Sequence, residues 1–260
     1  MSPAPARVPV QAEVVAVTPL TPHMIRIVLG GEGLAGFALG GFTDHYVKLQ
    51  FPDAEGKLRT RTYTARAWDA ERGELTIDFV HHGDTGVAGP WAANARPGDT
   101  LQLRGNAPGG AYAPDPTADW HLMVGDASVV PAISASLAAV PAGVPVHVFL
   151  QVEGPEEELP LESPGDLHLT WLHGTDDEEA LERAVRALDF PAGTVHGFVH
   201  GEASAVRAVR RHLLVDRAVP REALSVSGYW KRTRTEEGWR EDKPAWNQLV
   251  EADVASASEG

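Results

Sequence analysis

Residues 61–64 read Arg-Thr-Tyr-Thr. In an extended strand alternate residues share a face, so Arg61 and Tyr63 stand on one side and Thr62 and Thr64 on the other. A guanidinium beside a flat phenol suits a phosphate and a stacked ring, and Thr64 can hydrogen-bond a ring edge. The same four residues also suit the exposed polar face of an ordinary strand. Further on the chain reads Asp78-Phe79-Val80-His81-His82-Gly83-Asp84-Thr85-Gly86, then Val87-Ala88-Gly89-Pro90-Trp91. A strand ending in a Gly-rich turn, with a short helix opening near Gly86, aims free N–H groups at an anion such as a pyrophosphate. His81 and His82 face opposite ways in a strand and no third ligand is spaced for a metal, so satisfied or solvent-facing histidines explain them better.

The second half carries two strand–turn–helix segments. His121–Ile133 contains Gly125-Asp126-Ala127-Ser128, with Ser128 placed to cap the following helix and Pro131 in its first turn. Val199–Ser204 contains Gly201-Glu202-Ala203-Ser204, where Glu202 and Ser204 serve equally well as helix caps or as ligand contacts. Such junctions are where open α/β sheets bind ligands. Gly31-Glu32-Gly33-Leu34-Ala35-Gly36 spells a dinucleotide fingerprint but runs on through Gly40 and Gly41 into another strand. Without a helix opening at the glycines there is nothing to hold a pyrophosphate, so this is a loop.

The elements that must position these residues fall into two groups. Between residues 10 and 105, strands are expected at Val10–Thr18, Met24–Leu29, His45–Phe51, Arg59–Trp68, Glu74–His81 and Thr100–Arg104. They are rich in β-branched and aromatic residues and are separated by Gly, Pro and Asp, which predicts a six-stranded antiparallel β-barrel. Tyr112–Trp120 reads as a linker. After it strands (His121–Gly125, Val146–Val152, Leu167–Leu172, Val195–Val199, Leu224–Trp230) alternate with helices (Val130–Val140, Glu178–Leu188, Ala203–Leu214), which predicts an open parallel α/β sheet. The first ten residues read as a loose arm and the last ten as a frayed tail.

Composition narrows the functions. The 260 residues include no cysteine, which removes disulfides, thiolate metal sites and cysteine nucleophiles. Lys+Arg 22 against Asp+Glu 36 gives −14, a field that repels nucleic acid and anionic membrane. No apolar run approaches the ~20 residues needed to span a bilayer, and the start has no apolar export segment, so a cytoplasmic protein is expected.

Taken in order, the segments resemble the siderophore-interacting protein family, flavin-dependent ferric-siderophore reductases related to the ferredoxin-reductase fold. The likeness runs from about Val10 to Trp246. It is carried by Asp44–Pro52, the Arg61–Thr64 motif, the Asp78–Trp91 segment, the Gly125-Asp126 and Gly201-Glu202 turns, and Gly228-Tyr229-Trp230-Lys231-Arg232. It implies an FAD-binding barrel domain at 1–116 and an NAD(P)H-binding α/β domain at 117–260 with a C-terminal extension. Arg61, Thr62, Tyr63 and Thr64 are then the first FAD contacts. Asp78, Val80, His82, Gly83, Gly86, Val87, Ala88 and Trp91 form the second flavin-binding stretch. Asp126, Ser128 and Glu202 lie on the nicotinamide side, and no catalytic side chain is implied beyond the flavin. Lys48, with Lys231 or Arg232, holds the anionic ferric siderophore. The sequence departs from the family in the Gly105–Gly110 turn, which carries no base where many relatives have an arginine, and at Ala127-Ser128-Val129-Val130.

A nicotinamide gives up two electrons as a hydride whereas Fe(III) accepts one, and a flavin reconciles the two. A ferric catecholate is repelled by a chain at −14 unless a basic patch receives it. Lys48, Lys231, Arg232, Arg234, Arg240 and Lys243 are candidates, unless Glu236, Glu237, Glu241 and Asp242 pair with the later ones. With a weak patch, a hydroxamate complex is the easier substrate. Arg207, Arg210 and Arg211 can reach a cofactor phosphate or form a solvated helix face. NADH, NADPH and reduced ferredoxin remain alternative donors. A general flavin reductase on the same scaffold and a non-enzymatic siderophore carrier are the competing readings.

Overall fold

The structure is a computed structural model that describes residues 9–104 and 109–255. The arm expected at residues 1–8, the turn at 105–108 and the end of the tail at 256–260 lie outside the described residues. The chain divides into two compact units, Met1–Ala113 with Ser134–Ser136, and Pro114–Ile133 with Leu137–Gly260.

The first unit holds β1 (Val10–Thr21), β2 (Met24–Gly30), β3 (Tyr46–Pro52), β4 (Leu58–Thr64), β5 (Ala67–Asp69), β6 (Glu74–Val80), helix α1 (Ala88–Asn94) and β7 (Thr100–Leu103). One antiparallel sheet takes the order β4-β3-β7-β1-β2-β6-β5. Period-two alternation builds its core: Ile25, Ile27 and Leu29 of β2 lie beside Phe79, Ile77 and Leu75 of β6, all buried.

Seven strands replace the expected six because Arg59–Trp68 does not run through. Ala65 N still bonds to His45 O beside β3, but Arg66 N bonds to Thr76 O in β6. Two residues therefore carry the chain from one edge strand, β4, to the other, β5. Linking both edges so tightly curls the sheet upon itself, and Tyr63 of β4 comes 4.4 Å (ring centroids) from Phe79 of β6. The Gly31–Gly36 segment makes a single 3-10 turn at Glu32–Leu34 that buries Leu34, with no α-helix. Gly33 is there for close approach, since a Cβ would stand 1.9 Å from Gln11 O.

The second unit is a five-stranded parallel sheet in the order β10-β9-β8-β11-β12. Its elements are β8 (Trp120–Asp126), α2 (Val130–Leu137), β9 (Pro145–Val152), β10 (Asp166–His173), α3 (Ala180–Ala187), β11 (Val195–Glu202), α4 (Ala203–Arg211), β12 (Leu224–Trp230) and α5 (Glu236–Ala255). Strand order reverses between β8 and β11, the topological position at which open α/β sheets take ligands. The linker is shorter than expected: Tyr112 and Trp120 are both buried.

Helix α5 continues to Ala255, which corrects the expectation of a frayed tail over residues 251–255. Trp239, Trp246 and Val250 turn one face inward, and the indole N–H groups donate to Gly228 O (3.3 Å) and Ala203 O (3.2 Å). Helix α4 holds it by two further side chains. Arg207 forms two hydrogen bonds to Asp253 (2.6 and 2.7 Å), and buried Arg210 donates to Val250 O (2.5 Å). Arg207 and Arg210 are thereby tied to α5, while Arg211 stays exposed. Among the described residues no helix is long and apolar enough to cross a membrane.

Two buried histidines make the second unit sensitive to acid. Burial pushes His121 down to about 4, with repulsion from His196 as the next cause. Burial, then the Lys243 charge, pushes His200 down to about 3. An unfolded histidine titrates near 6.5. Below that pH the unfolded chain binds more protons than the native one, so stability falls as pH drops from about 6.5 towards 4 and then 3. Urea melts should show about 2–4 kcal/mol less stability at pH 5 than at pH 7, and His121→Phe should flatten that slope. Equal stability at both pH values would count against neutral buried rings.

Candidate functional site

In the first unit the register of β3 with β4 decides which side each motif residue faces. Arg61 lies opposite Leu49 and Tyr63 opposite Val47, both buried, so Arg61 and Tyr63 share the inner face. Thr62 lies opposite Lys48 and Thr64 opposite Tyr46 on the outer face. There Lys48 donates to the Thr62 hydroxyl, and its ammonium stands 5.0 Å over the Tyr46 ring. Lys48 and Thr62, read as contacts of different ligands, are thus direct neighbours. Arg61 donates to Thr60 O (3.1 Å) and remains half-buried.

Tyr63 and Trp91 both join the aromatic cluster of the barrel, with Trp91 5.8 Å from Phe79 and 5.4 Å from Phe51. Asp78 is held by two hydrogen bonds from its cross-strand partner Arg26 (2.7 and 2.8 Å), and those bonds raise the guanidinium pKa. Beyond half-buried Val80, His82 is exposed and tilts against the His23 ring at 6.3 Å. Gly83 and Gly86 have φ of +58° and +79°, which only glycine adopts readily, and their missing side chains would meet open space. Helix α1 follows with half-buried Val87 at its N-cap, buried Ala88 in its first turn, and no side-chain cap on its free N–H groups.

In the second unit the reversal point is a hydrogen-bonded knot. The Asp126 carboxylate accepts from Ser128 N (2.9 Å), Ser128 Oγ (2.6 Å), Glu202 N (2.7 Å) and Trp230 Nε1 (3.0 Å). Burial raises its pKa while these donors pull it down. Asp126 itself is the N-cap, with a 3-10 turn at Ala127–Val129 before α2. This corrects the expectation for Ser128, whose hydroxyl donates back to the capping carboxylate. Glu202 closes β11 and caps α4, accepting from Ser204 N (2.6 Å) and Ala205 N (3.0 Å), and also from Arg232 N (3.1 Å). Lys231 reaches Ser204 Oγ (3.1 Å). Gly125 and Gly201 let these loops close: a Cβ on Gly125 would stand 2.4 Å from His200 O, and one on Gly201 2.5 Å from Asp126 Oδ2.

The fold therefore brings Asp126, Ser128, Glu202, Lys231 and Arg232 into one cluster beside a crevice at the carboxyl edge of the sheet. Two other lining residues, Trp230 and Gln151, were given no role from the sequence. Trp230 ties β12 to Asp126, and Gln151 donates to Gly174 O (2.6 Å) and Asp177 O (2.9 Å). Their signal was position: each stands at the carboxyl end of a parallel strand. Of the six cations offered as a basic patch, the three arginines are paired with carboxylates, while Lys48, Lys231 and Lys243 reach hydroxyls. Arg232 pairs with Glu178 (3.0 Å), Arg234 with Asp242 (2.7 Å) and Arg240 with Glu236 (3.3 Å).

The sequence matches the family profile described as "Siderophore-interacting FAD-binding domain" over residues 13–60 and 53–112, and that described as "Siderophore-interacting protein" over residues 118–233. It is 35% identical over 246 residues to the ferric vibriobactin reductase ViuB of Vibrio cholerae, covering 85% of this chain and 89% of that protein. The chain belongs to the siderophore-interacting protein family.

An uncharacterized Mycobacterium tuberculosis protein shares 41% identity over 278 residues, covering 94% of this chain and 96% of its own. The crystal structure of the siderophore-interacting protein SipS from Aeromonas hydrophila superposes with a TM-score of 0.83 at 29% identity, covering 94% of this chain and all of that one (100%). A ferredoxin reductase of carbazole 1,9a-dioxygenase, at 20% identity and a TM-score of 0.65, shows the same fold. The chain thus carries this family's FAD-binding domain on a ferredoxin-reductase-like fold.

Proposed function

We propose that this protein is a cytoplasmic reductase of ferric siderophores that takes electrons from a nicotinamide nucleotide by way of FAD and releases Fe(II). The observation that carries this reading is the match of nearly the whole chain to a ferric vibriobactin reductase. FAD is assigned to the domain at 1–116 and the nucleotide to that at 117–260.

The donor set on the barrel fits FAD. Arg61 supplies a cation for the diphosphate beside the half-buried Tyr63 ring, and the uncapped N–H groups after Gly86 supply neutral donors. When bound, FAD accepts an electron pair and gives up electrons one at a time, which matches a hydride donor to a ferric acceptor. The chain's own task is then to hold and orient. Arg61 binds the diphosphate, while Tyr63 and Thr64 fix the ring. Asp126 and Glu202 shape the nucleotide crevice by fixing its turns. Lys48 on the first unit, and Lys231 and Arg232 on the second, are each bases available to a ferric complex. Because Arg232, Arg234 and Arg240 are already paired with carboxylates, the reading favours a substrate of low negative charge, a ferric hydroxamate over a catecholate.

An absorbance spectrum tests this. The purified protein should show flavin bands that bleach under anaerobic NADH or NADPH and return on adding a ferric hydroxamate. Bleaching only by a reduced ferredoxin would move the donor away from nicotinamide. A protein that neither retains nor binds FAD would be a carrier, and the reductase reading would fall.

A further inference from the structure

The carboxyl edge of the parallel sheet is acidic on the side of β9 and β10. Strand β9 ends at Val152 and is followed by Glu153, Glu156, Glu157 and Glu158; β10 ends at His173 and is followed by Asp176, Asp177, Glu178 and Glu179. Hydrogen bonds hold these two loops together. Gly174 N donates to Val152 O and Glu153 O (both 3.0 Å), and Gln151 Nε2 donates across to Gly174 O and Asp177 O. The bases at this edge are spent on those acids. Arg183 is paired with Asp177, His173 with Glu158 (2.8 Å), and Arg232 with Glu178 (3.0 Å) and Thr175 O (2.7 Å). The crevice beside them is lined by Asp126, Glu178 and Glu202 with Arg232 as its cation.

NADH and NADPH differ only in a 2′-phosphate that brings roughly 1.5 to 2 negative charges at neutral pH. In open α/β sheets the dinucleotide lies across the carboxyl ends at the reversal of strand order. A carboxylate beyond the second strand there accepts from the ribose 2′-hydroxyl, whereas sites for the phosphorylated nucleotide place an arginine nearby. Here the second strand of the sheet in chain order is β9, and the residue that follows it is exposed Glu153. Asp176 and Glu178, also exposed, stand on the adjoining loop.

We propose that this edge selects NADH, with Glu153, Asp176 and Glu178 as the residues that exclude the 2′-phosphate of NADPH. The inference rests on the reading of this unit as a nicotinamide-nucleotide domain. A phosphate brought here meets several carboxylates and displaces an existing ion pair before it gains a cation, whereas a 2′-hydroxyl gains an acceptor.

The test is a calorimetric titration of the full-length, oxidised, flavin-loaded protein with NAD+, NADP+, 5′-AMP and 2′,5′-ADP. NAD+ and 5′-AMP should bind at least about tenfold more tightly than their 2′-phosphorylated counterparts, the scale of a like-charge contact near a protein surface. Added salt should narrow the gap by screening. The combined variant Glu153→Gln, Asp176→Asn, Glu178→Gln should bring the ratio to within about threefold by tightening NADP+, with cooperative melting retained, since all three side chains are exposed and the Glu178–Arg232 pair it removes is a surface one. Equal or tighter NADP+ binding by the unmodified protein, or a ratio that the variant leaves in place, overturns the proposal while leaving the nucleotide domain standing. Binding of none of the four overturns both.

Discussion

Arg61→Ala should weaken FAD binding by about 10- to 100-fold, the size of a lost charge-assisted hydrogen bond to phosphate, while thermal unfolding stays cooperative. Arg61 lies on the inner face of edge strand β4, opposite buried Leu49, but is itself only half-buried. Arg61→Lys should fall between, since an ammonium keeps the charge but not the planar fork. Flavin content from the visible spectrum and titration of the apoprotein with FAD measure both variants. Normal FAD content in Arg61→Ala would remove the assignment of this motif.

Asp126→Ala should lower the stability of the second unit by about 2–5 kcal/mol, the cost of leaving buried donors without their acceptor. Its four hydrogen bonds join the end of β8 to the first turn after it, to β11 and to the Trp230 indole at the end of β12. Without the carboxylate the Glu202 amide and the indole N–H are left with no acceptor inside a closed turn, each costing about 1–3 kcal/mol. Asp126→Asn should lose less, because an amide oxygen still accepts from part of the set. Nucleotide binding should fall with stability in both, since the same knot shapes the crevice. Melting curves followed by tryptophan fluorescence decide the matter: an Asp126→Ala protein that melts with the wild type would show the knot to be dispensable.

The stretches that were legible in advance carry their signal locally. Leu224–Trp230 was read as a strand with the bounds the structure shows, and β6 alternates Leu75, Ile77 and Phe79 inward with no help from distant residues. The Gly31–Gly36 string was correctly set aside because its continuation is visibly not a helix. Expectations failed where the deciding partner is remote. Nothing in Arg59–Trp68 announces that Ala65 bonds beside β3 and Arg66 beside β6. Helix α5 was missed because its apolar residues are few, and it is secured by contacts such as Arg207 to Asp253, 46 residues apart.

Composition, alternation and punctuation were thus enough to establish a β-barrel followed by a parallel α/β sheet, and to single out Arg61–Thr64 and the turns at Asp126 and Glu202 as candidates. Those properties depend on neighbours within a few positions. The tertiary structure alone decided how each of those residues is employed. Asp126 meets Glu202 across 76 residues and Trp230 across 104, and Asp78 meets Arg26 across 52, so which carboxylates are already committed to holding turns and strands is settled only when the sheets form. The same holds for charge: a chain with 22 basic residues presents few unpaired ones near the candidate site, because folding sets Glu178, Asp242 and Glu236 against the arginines that looked available.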